Sequence, residues 1–170
     1  MYESNKTQWD EHDRLEVLTF DIGEERLALE AVMIREILDL LPETRVPGAE
    51  ALVGSIVNFR GKIIPIADLR LAFGMPVEQH TPDSRIVVIE TELADEAIHI
   101  GLRADKVHEV ATLNRQDSTE PPAVGMRWRR DYVREFVRGP DGVVILPDLP
   151  TIFQSVTGNA GATLVSFAQN

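Results

Sequence analysis

The stretch Asn58-Phe59-Arg60-Gly61-Lys62-Ile63-Ile64-Pro65-Ile66-Ala67-Asp68-Leu69-Arg70 decides the fold, because it places an arginine between two apolar segments. Ile56-Val57 precedes Arg60-Gly61, and Ile63 to Ile66 follow it. Apolar, β-branched runs on both sides of a pair that contains glycine are typical of two strands joined by a turn. The sequence therefore predicts a hairpin with Arg60 at its tip, where the guanidinium is either solvated or offered to a partner.

Size and charge limit the class of protein. The chain has 170 residues, 44% of them hydrophobic, so it can form one globular domain or two small subdomains with a common core. Its 28 acidic side chains outnumber its 17 basic ones, and a net charge of -11 argues against nucleic acid and anionic membrane surfaces as partners. The absence of cysteine excludes disulfides, thiolate metal sites and thiol catalysis.

The ends of the chain are expected to lie outside the folded domain. Residues 1–14 are polar and contain no apolar stretch like that of a signal peptide. No run approaches the ~18 apolar residues of a membrane span. We therefore expect a disordered N-terminal tail over residues 1–14, a domain over residues 15–156, a C-terminal tail over residues 157–170, and a cytoplasmic location.

Short strands separated by polar turns predominate in the sequence. Alternating or continuous apolar residues predict strands near residues 18–22, 27–29, 86–89 and 98–102. The segment 30–41 is open to two interpretations, because Ile34, Ile37, Leu38 and Leu41 have helical spacing. A short helical turn followed by a strand over Ile34–Leu38 fits it equally well.

A weak internal repeat is visible. Residues 27–37 align without a gap with residues 100–110. The identical pairs are Leu29/Leu102, Ala31/Ala104 and Glu36/Glu109. Later, the Asp-Leu and Phe of residues 68–73 recur in residues 148–153. Chance similarity between amphipathic segments is the alternative, but two matching features in the same order favour two similar β subdomains, built as small barrels.

Motifs for catalysis or metal binding are weak. The glycines are scattered rather than grouped into a phosphate-binding loop, and no serine lies in a nucleophile elbow. None of the four histidines has a second ligand at the spacing of zinc sites. Asp68 follows a strand and precedes a short helix, so we expect its carboxylate to cap that helix. We predict no catalytic residue, no metal and no cofactor.

Arginines are concentrated near the end of the chain, at positions 127, 129, 130, 134 and 138. Arg130, Arg134 and Arg138 have helical spacing, which predicts a solvated helical face or a local patch against an acidic partner. Asp131 and Glu135 dilute the cluster, which argues against a nucleic-acid surface.

The predicted hairpin and its surroundings resemble the CheW family of chemotaxis coupling proteins. Val46-Pro47-Gly48 is similar to the V-P-G turn of that family, and Ile34-Arg35-Glu36-Ile37 to its V-x-E-I segment. In the second half, the segments in the expected order are 107–110, 120–122 and 144–149. The resemblance extends from about Leu15 to Phe153, and its first half is the more specific one.

This resemblance implies an all-β fold with short helices: two intertwined SH3-like, five-stranded β-barrel subdomains that share a core. It makes Ile34–Leu38 a strand after a short helical turn. Proteins of this family are non-enzymatic adaptors in signal transduction. The partners implied are the cytoplasmic tip of a chemoreceptor and the regulatory domain of a CheA-type histidine kinase. The implied location is the cytoplasm, at membrane-associated receptor arrays, without insertion into the membrane.

The resemblance also implies a receptor-binding groove. Carried over by position, that groove corresponds to Ile34, Glu36, Asn58 and Arg60. Arg60 is expected to pair with a receptor carboxylate, and Ile34 to give apolar contact to a helix in the groove. No residue is assigned to the kinase contact. Ser55 stands where the family usually has glycine, and the segment 134–148 is atypical, so we expect partner contacts to differ there.

Two further interpretations stay open. One is an adaptor of the same type in another pathway, such as twitching or gliding motility or gene-regulatory signalling. The other is a small-ligand sensor or hydrolase on the same barrels, with Asp68, His99 or Glu109 as the active group. A deep, closed polar pocket between the barrels would favour a ligand-binding protein. A shallow groove lined by Ile34, Glu36 and Arg60 would favour an adaptor.

Overall fold

The computed structural model describes residues 6–93, 95–120 and 129–155. Within these ranges the chain forms twelve strands and two short α-helices, so the predicted all-β class is confirmed. The strands are β1 (Arg14–Ile22), β2 (Glu25–Glu30), β3 (Ile34–Asp39), β4 (Thr44–Arg45), β5 (Ser55–Phe59), β6 (Lys62–Ala67), β7 (Arg85–Leu93), β8 (Glu96–Ala104), β9 (Lys106–Asn114), β10 (Ser118–Thr119), β11 (Val133–Gly139) and β12 (Gly142–Pro147), and the helices are α1 (Leu69–Ala72) and α2 (Leu149–Ser155).

The strands form two curled sheets. We call the sheet of order β3-β7-β8-β6-β5-β4 barrel 1, and the sheet of order β10-β11-β12-β2-β1-β9 barrel 2. Each has five longer strands and one two-residue strand at its edge. A single 3-10 turn at Ala31–Met33 precedes β3, so the second interpretation of segment 30–41 is confirmed.

Each half of the chain gives its first hairpin to the other half. The hairpin β1–β2 pairs with β9 and β12, and the hairpin β7–β8 pairs with β3 and β6. The strand order is the same in both barrels when β1–β6 is matched to β7–β12. The predicted repeat follows this match, because residues 27–37 run from β2 into β3 and residues 100–110 run from β8 into β9.

A common core lies between the barrels. It contains apolar side chains from both halves, among them Phe20, Leu27, Phe73, Ile89, Leu102 and Phe153. Phe73 directly follows α1 and Phe153 lies in α2, so the repeated Asp-Leu and Phe segment delivers one phenylalanine from each half. Burial of one such side chain contributes about 1.5–3 kcal/mol. The common core is therefore what joins the barrels.

A partly buried ion pair adds to this link. Arg70 in α1 is 5% exposed and pairs with Asp105, which lies in the turn between β8 and β9. The same carboxylate accepts the backbone N–H of Gly23 at 2.7 Å, in the turn between β1 and β2. Turns from both halves therefore meet at one carboxylate.

Each barrel also has its own apolar interior. In barrel 1 it consists of Leu38, Val57, Ile64, Ile66, Ile86 and Val88, and in barrel 2 of Leu15, Val17, Ala28, Leu113, Val137, Val144 and Leu146. Gly101 is the barrel 1 equivalent of Ala28. A Cβ on Gly101 would lie 2.6 Å from Cδ1 of Ile66 and 2.7 Å from Cγ2 of Ile86. Barrel 1 thus requires glycine where barrel 2 accepts alanine.

Two expectations from the sequence differ from the structure. The helical face predicted for Arg130–Arg138 is wrong, because Val133–Gly139 is strand β11. Residues four positions apart share a face in a strand as they do in a helix, so the spacing does not distinguish the two. Arg134 forms an ion pair with Glu30 at 3.1 Å. Arg127 lies outside the described residues.

The other difference concerns the N-terminal segment. Thr7 and Trp9 contact barrel 2, although a solvated tail was expected over residues 1–14; the other side chains of residues 6–13 are exposed. Trp9 packs on the interior cluster of barrel 2, and the hydroxyl of Thr7 donates to Glu135 Oε2 at 2.8 Å. An aromatic side chain and a hydroxyl therefore attach this polar segment to barrel 2. Residues 1–5 and the expected tail over residues 157–170 lie outside the described residues.

We predict that Gly101→Ala lowers the free energy of unfolding by about 1–3 kcal/mol, because the added methyl group overpacks barrel 1. Adding Ile66→Val removes the nearest atom and should restore part of the loss. Urea unfolding of the single and double variants measures this. A Gly101→Ala variant as stable as the parent protein would contradict the tight packing at this position.

Candidate functional site

The β5–β6 hairpin carries Arg60 at its tip, so the predicted hairpin is confirmed. Phe59 pairs with Lys62, which leaves Arg60 and Gly61 as a two-residue turn. Both have positive φ, 52° and 80°, the pattern of a type I′ turn. A left-handed conformation costs a residue with a Cβ about 1–2 kcal/mol. Arginine is therefore not the residue that favours this turn most.

Asn58 stabilises the turn directly. Its Oδ1 accepts the backbone N–H of Gly61 at 3.0 Å. A side-chain acceptor of this kind is a common way to close a turn. Asn58 therefore stabilises the backbone of the hairpin tip.

The guanidinium of Arg60 is oriented by two weak contacts. Its Cζ lies 4.7 Å from the ring centroid of Phe59, and its Nη1 lies 3.7 Å from Glu36 Oε1. The Arg60 side chain is 76% exposed and that of Glu36 is 42% exposed. Exposed ion pairs of this kind contribute about 0.2–1 kcal/mol. Arg60 is thus positioned over β3 and remains accessible.

A bulge in β3 separates the predicted site residues into two faces. Ile34 pairs with Ile89 of the common core, whereas Glu36 pairs with Val88 of the barrel 1 interior. The register shifts between these two pairs. Ile34 therefore packs against the common core, half-buried, while Glu36 faces the same way as the interior of barrel 1. The structure brings Glu36, Asn58 and Arg60 together and places Ile34 on the opposite face of β3.

A group that the sequence does not reveal lies beside this site. Arg35 Nη2 donates to Glu90 Oε2 at 2.6 Å, and His99 Nε2 lies 3.3 Å from Glu90 Oε1. The hydrogen bond from Arg35, followed by that from His99, holds the pKa of Glu90 below its usual range. Glu90 and His99 are cross-strand partners on β7 and β8. Only the strand register brings them together.

Ser55, at the usual glycine position, takes part in an ionic chain. Its hydroxyl donates to Glu43 Oε1 at 2.7 Å. Glu43 accepts Arg103 Nη2 at 2.5 Å, and Arg103 Nη1 donates to Asp68 Oδ2 at 3.2 Å. Asp68 also accepts the backbone N–H of Arg70 at 3.1 Å, so its predicted role as N-cap is confirmed. The serine thus connects β5 to the cap of α1.

The candidate active groups of a ligand-binding protein or hydrolase lie apart. Asp68 is engaged with Arg103, His99 with Glu90, and Glu109 lies on β9 of the other barrel. A cleft of about 170 Å³ at the seam of the barrels is lined by other residues, including Leu29, Met33, Thr91 and Leu149. The structure does not assemble the three groups into one site.

Among residues 6–93, 95–120 and 129–155, no group of three or more His, Asp or Glu side chains could hold a metal ion. In the same part of the chain, no helix is long and apolar enough to cross a membrane.

Comparison with known proteins gives one consistent family. Residues 16–157 match the family described as CheW-like domain. The chain is 26% identical to the chemotaxis protein CheW of Rhizobium meliloti over 82% of this chain and 88% of that protein, and 27% identical to the chemotaxis protein CheW of Thermotoga maritima over 92% and 99%. The crystal structure of the scaffolding protein TtCheW from Thermoanaerobacter tengcongensis superposes with a TM-score of 0.71 at 27% identity, covering 86% of this chain and 94% of that one. The predicted pair of SH3-like subdomains is thereby confirmed.

We predict that Asn58→Ala lowers the free energy of unfolding by about 0.5–1.5 kcal/mol, because the N–H of Gly61 loses its acceptor. Asn58→Asp keeps an acceptor oxygen at the same place and should retain most of the stability. Thermal unfolding of the two variants measures the difference. Equal losses in both would show that the side-chain acceptor does not hold the turn.

Proposed function

The chain belongs to the CheW-like domain family, and on that basis we propose that it is a non-enzymatic adaptor that couples chemoreceptors to a CheA-type histidine kinase. The relatives named above are chemotaxis proteins, and the structural neighbour is a scaffolding protein. The observation that carries the proposal is the state of Arg60. A cation held in a strained turn, 76% exposed and weakly paired, is suited to a partner more than to the fold.

Arg60 is proposed to bind a carboxylate on the cytoplasmic tip of the receptor. A guanidinium pairs with a carboxylate through two parallel hydrogen bonds, which are stronger than the present contact with Glu36 at 3.7 Å. Asn58 keeps the backbone of the tip in place, and Glu36 orients the free guanidinium. A partner carboxylate therefore replaces a weak contact rather than a strong one.

The apolar side of the proposed groove lies on the opposite face of β3 from Arg60 and includes Ile34 and Ile37. Because β3 is an edge strand of barrel 1, a partner along this edge reaches both faces. Ile37 pairs with Val87 of the common core, so it lies on the same face of β3 as Ile34. Ile37 is 45% exposed. A receptor helix laid along this face would cover Ile37 and the exposed part of Ile34, in the usual manner of an amphipathic helix in a groove.

The proposed site of action is the cytoplasmic face of a receptor array. An adaptor that contacts both a receptor and a kinase gains strength from many simultaneous contacts, so moderate affinity at each one suffices. The same chemistry would serve an adaptor of another motility or regulatory pathway. Capture of a CheA-type regulatory domain, followed by identification of the bound kinase, distinguishes these outputs.

We predict that Arg60→Ala weakens binding to a receptor cytoplasmic fragment about tenfold, and that Arg60→Glu weakens it further by repulsion, in line with hydrogen bonds to charged groups of about 1.5–3 kcal/mol. Binding to the kinase regulatory domain should not change. Co-sedimentation with receptor and kinase, together with calorimetric titration, measures both contacts.

Arg115→Ala is the matched control, since Arg115 is also exposed and paired at 3.4 Å, with Asp13, which directly precedes β1. It should bind the receptor fragment normally. Receptor binding by Arg60→Glu that equals that of the parent protein would overturn the role proposed for Arg60.

Ile37→Ser tests the apolar face. We expect it to weaken receptor binding about three- to tenfold, because an apolar contact is worth about 0.8 kcal/mol for each buried CH₂. Val110→Ser, at the equivalent exposed position of β9, is the control and should leave receptor binding unchanged. Equal effects of the two substitutions would show that the receptor helix does not lie on this face of β3.

A further inference from the structure

A second ionic group lies at the same end of barrel 1 as Arg60. Along β7, Ile86 and Val88 face the interior of barrel 1, so Glu90 lies on that face, beyond them. Its cross-strand partner His99 shares the face, as does Glu36, the partner of Val88. We call this polar end, formed by Arg35, Glu36, Arg60, Glu90 and His99, the mouth of barrel 1.

Arg35 is held firmly but is not buried. It donates to the backbone oxygen of Val32 at 3.1 Å and to Glu90 at 2.6 Å. The side chains of Arg35, Glu90 and His99 are 42%, 38% and 34% exposed. Arg35 lies at the bulge of β3, between Ile34 and Glu36, so this group adjoins Glu36 of the proposed receptor site.

The net charge of the mouth depends on whether the imidazole of His99 is protonated. The permanent cations of the mouth are Arg35 and Arg60, and its acids are Glu36 and Glu90. By strand alternation Lys62 of β6 and Glu92 of β7 share these faces and add one charge of each sign. These charges cancel when His99 is neutral, and protonation of His99 makes the mouth positive in a chain of net charge -11. Histidine is the side chain whose charge ordinarily changes between pH 5 and 8.

Barrel 2 has an equivalent ionic group, but the hairpin tip beside it carries different residues. There Asp21 bonds to His108 at 2.7 Å and to Arg26 at 2.9 Å, and the side chains are 25–30% exposed. The hairpin tip contributes Asp141, 3.8 Å from Arg26, and Pro140 stands at the position of Arg60. The mouth of barrel 2 thus offers an acid at its tip where barrel 1 offers a cation, so the two mouths suit partners of opposite charge.

We propose that Arg35 and His99 form a second contact for the receptor segment that Arg60 binds, so that the mouth of barrel 1 recognises an acidic helix with carboxylates at two places. The inference rests on the proposed function. Arg35 donates hydrogen bonds to the second carboxylate. The positive charge of protonated His99 offsets the negative charge of Glu90, which would otherwise repel that carboxylate. Receptor binding is accordingly tighter at low pH.

The test measures the dissociation constant for a soluble cytoplasmic fragment of a chemoreceptor at pH 6, 7 and 8 and constant ionic strength. The parent protein should bind about two- to fivefold tighter at pH 6 than at pH 8, the size expected of one exposed charge contact. His99→Gln should bind at pH 6 as the parent protein does at pH 8. His99→Lys, whose charge is permanent, should bind tightly at both.

His80→Gln, in the exposed connector between α1 and β7, is the matched control and should keep the pH dependence. Arg35→Gln should weaken binding about two- to fivefold at every pH. Thermal unfolding at each pH confirms that the variants are folded.

Two negative results are distinguishable. If the parent protein does not bind the fragment, or Arg60→Ala binds it unchanged, the proposed function fails. If Arg60→Ala binds weakly while Arg35→Gln binds normally and His99→Gln keeps the full pH dependence, the proposed function stands and the second contact is overturned.

Discussion

Burial of a single core between two barrels is the constraint on which this structure depends. The apolar faces of β1, β2, β7 and β8 are covered only because each hairpin joins the barrel of the other half. The exchange places Leu27 beside Ile145 and Ile66 beside Gly101, in the parallel pairs that connect the halves. Neither half has the strands to complete a barrel of its own. We therefore expect the two barrels to fold as one cooperative unit.

The candidate site is a product of that exchange. Arg35, Glu36 and Arg60 come from the first half of the chain, whereas Glu90 and His99 arrive on the hairpin that the second half contributes. The mouth of barrel 1 is therefore composite, because both halves of the chain contribute side chains to it. A charged mouth above an apolar interior also allows the contacts of Arg60 to change without disturbing the packing below.

Differences between the halves are as informative as their likeness. The framework repeats closely: Asp68 and Asp148 lie at equivalent helix starts, and the segment after each of them delivers one phenylalanine to the common core. The hairpin tips do not repeat, since arginine in a left-handed conformation stands in one and proline in the other. A position that departs from the shared framework at some cost in backbone strain is where a partner contact is expected.

Local chemistry determined much of this protein from its sequence. Turn residues and apolar alternation indicated the hairpin at Arg60 and the cap at Asp68, because these depend on neighbours a few residues away. The strand after residue 33 was indicated only by the family resemblance, since its apolar spacing fits a helix equally well. Tertiary structure decided the exchange of hairpins, the strand identity of Val133–Gly139, the attachment of Trp9 and the meeting of Arg35 with Glu90 and His99. These depend on which distant strands pair, and that pairing follows from burial of the common core, which no local pattern encodes.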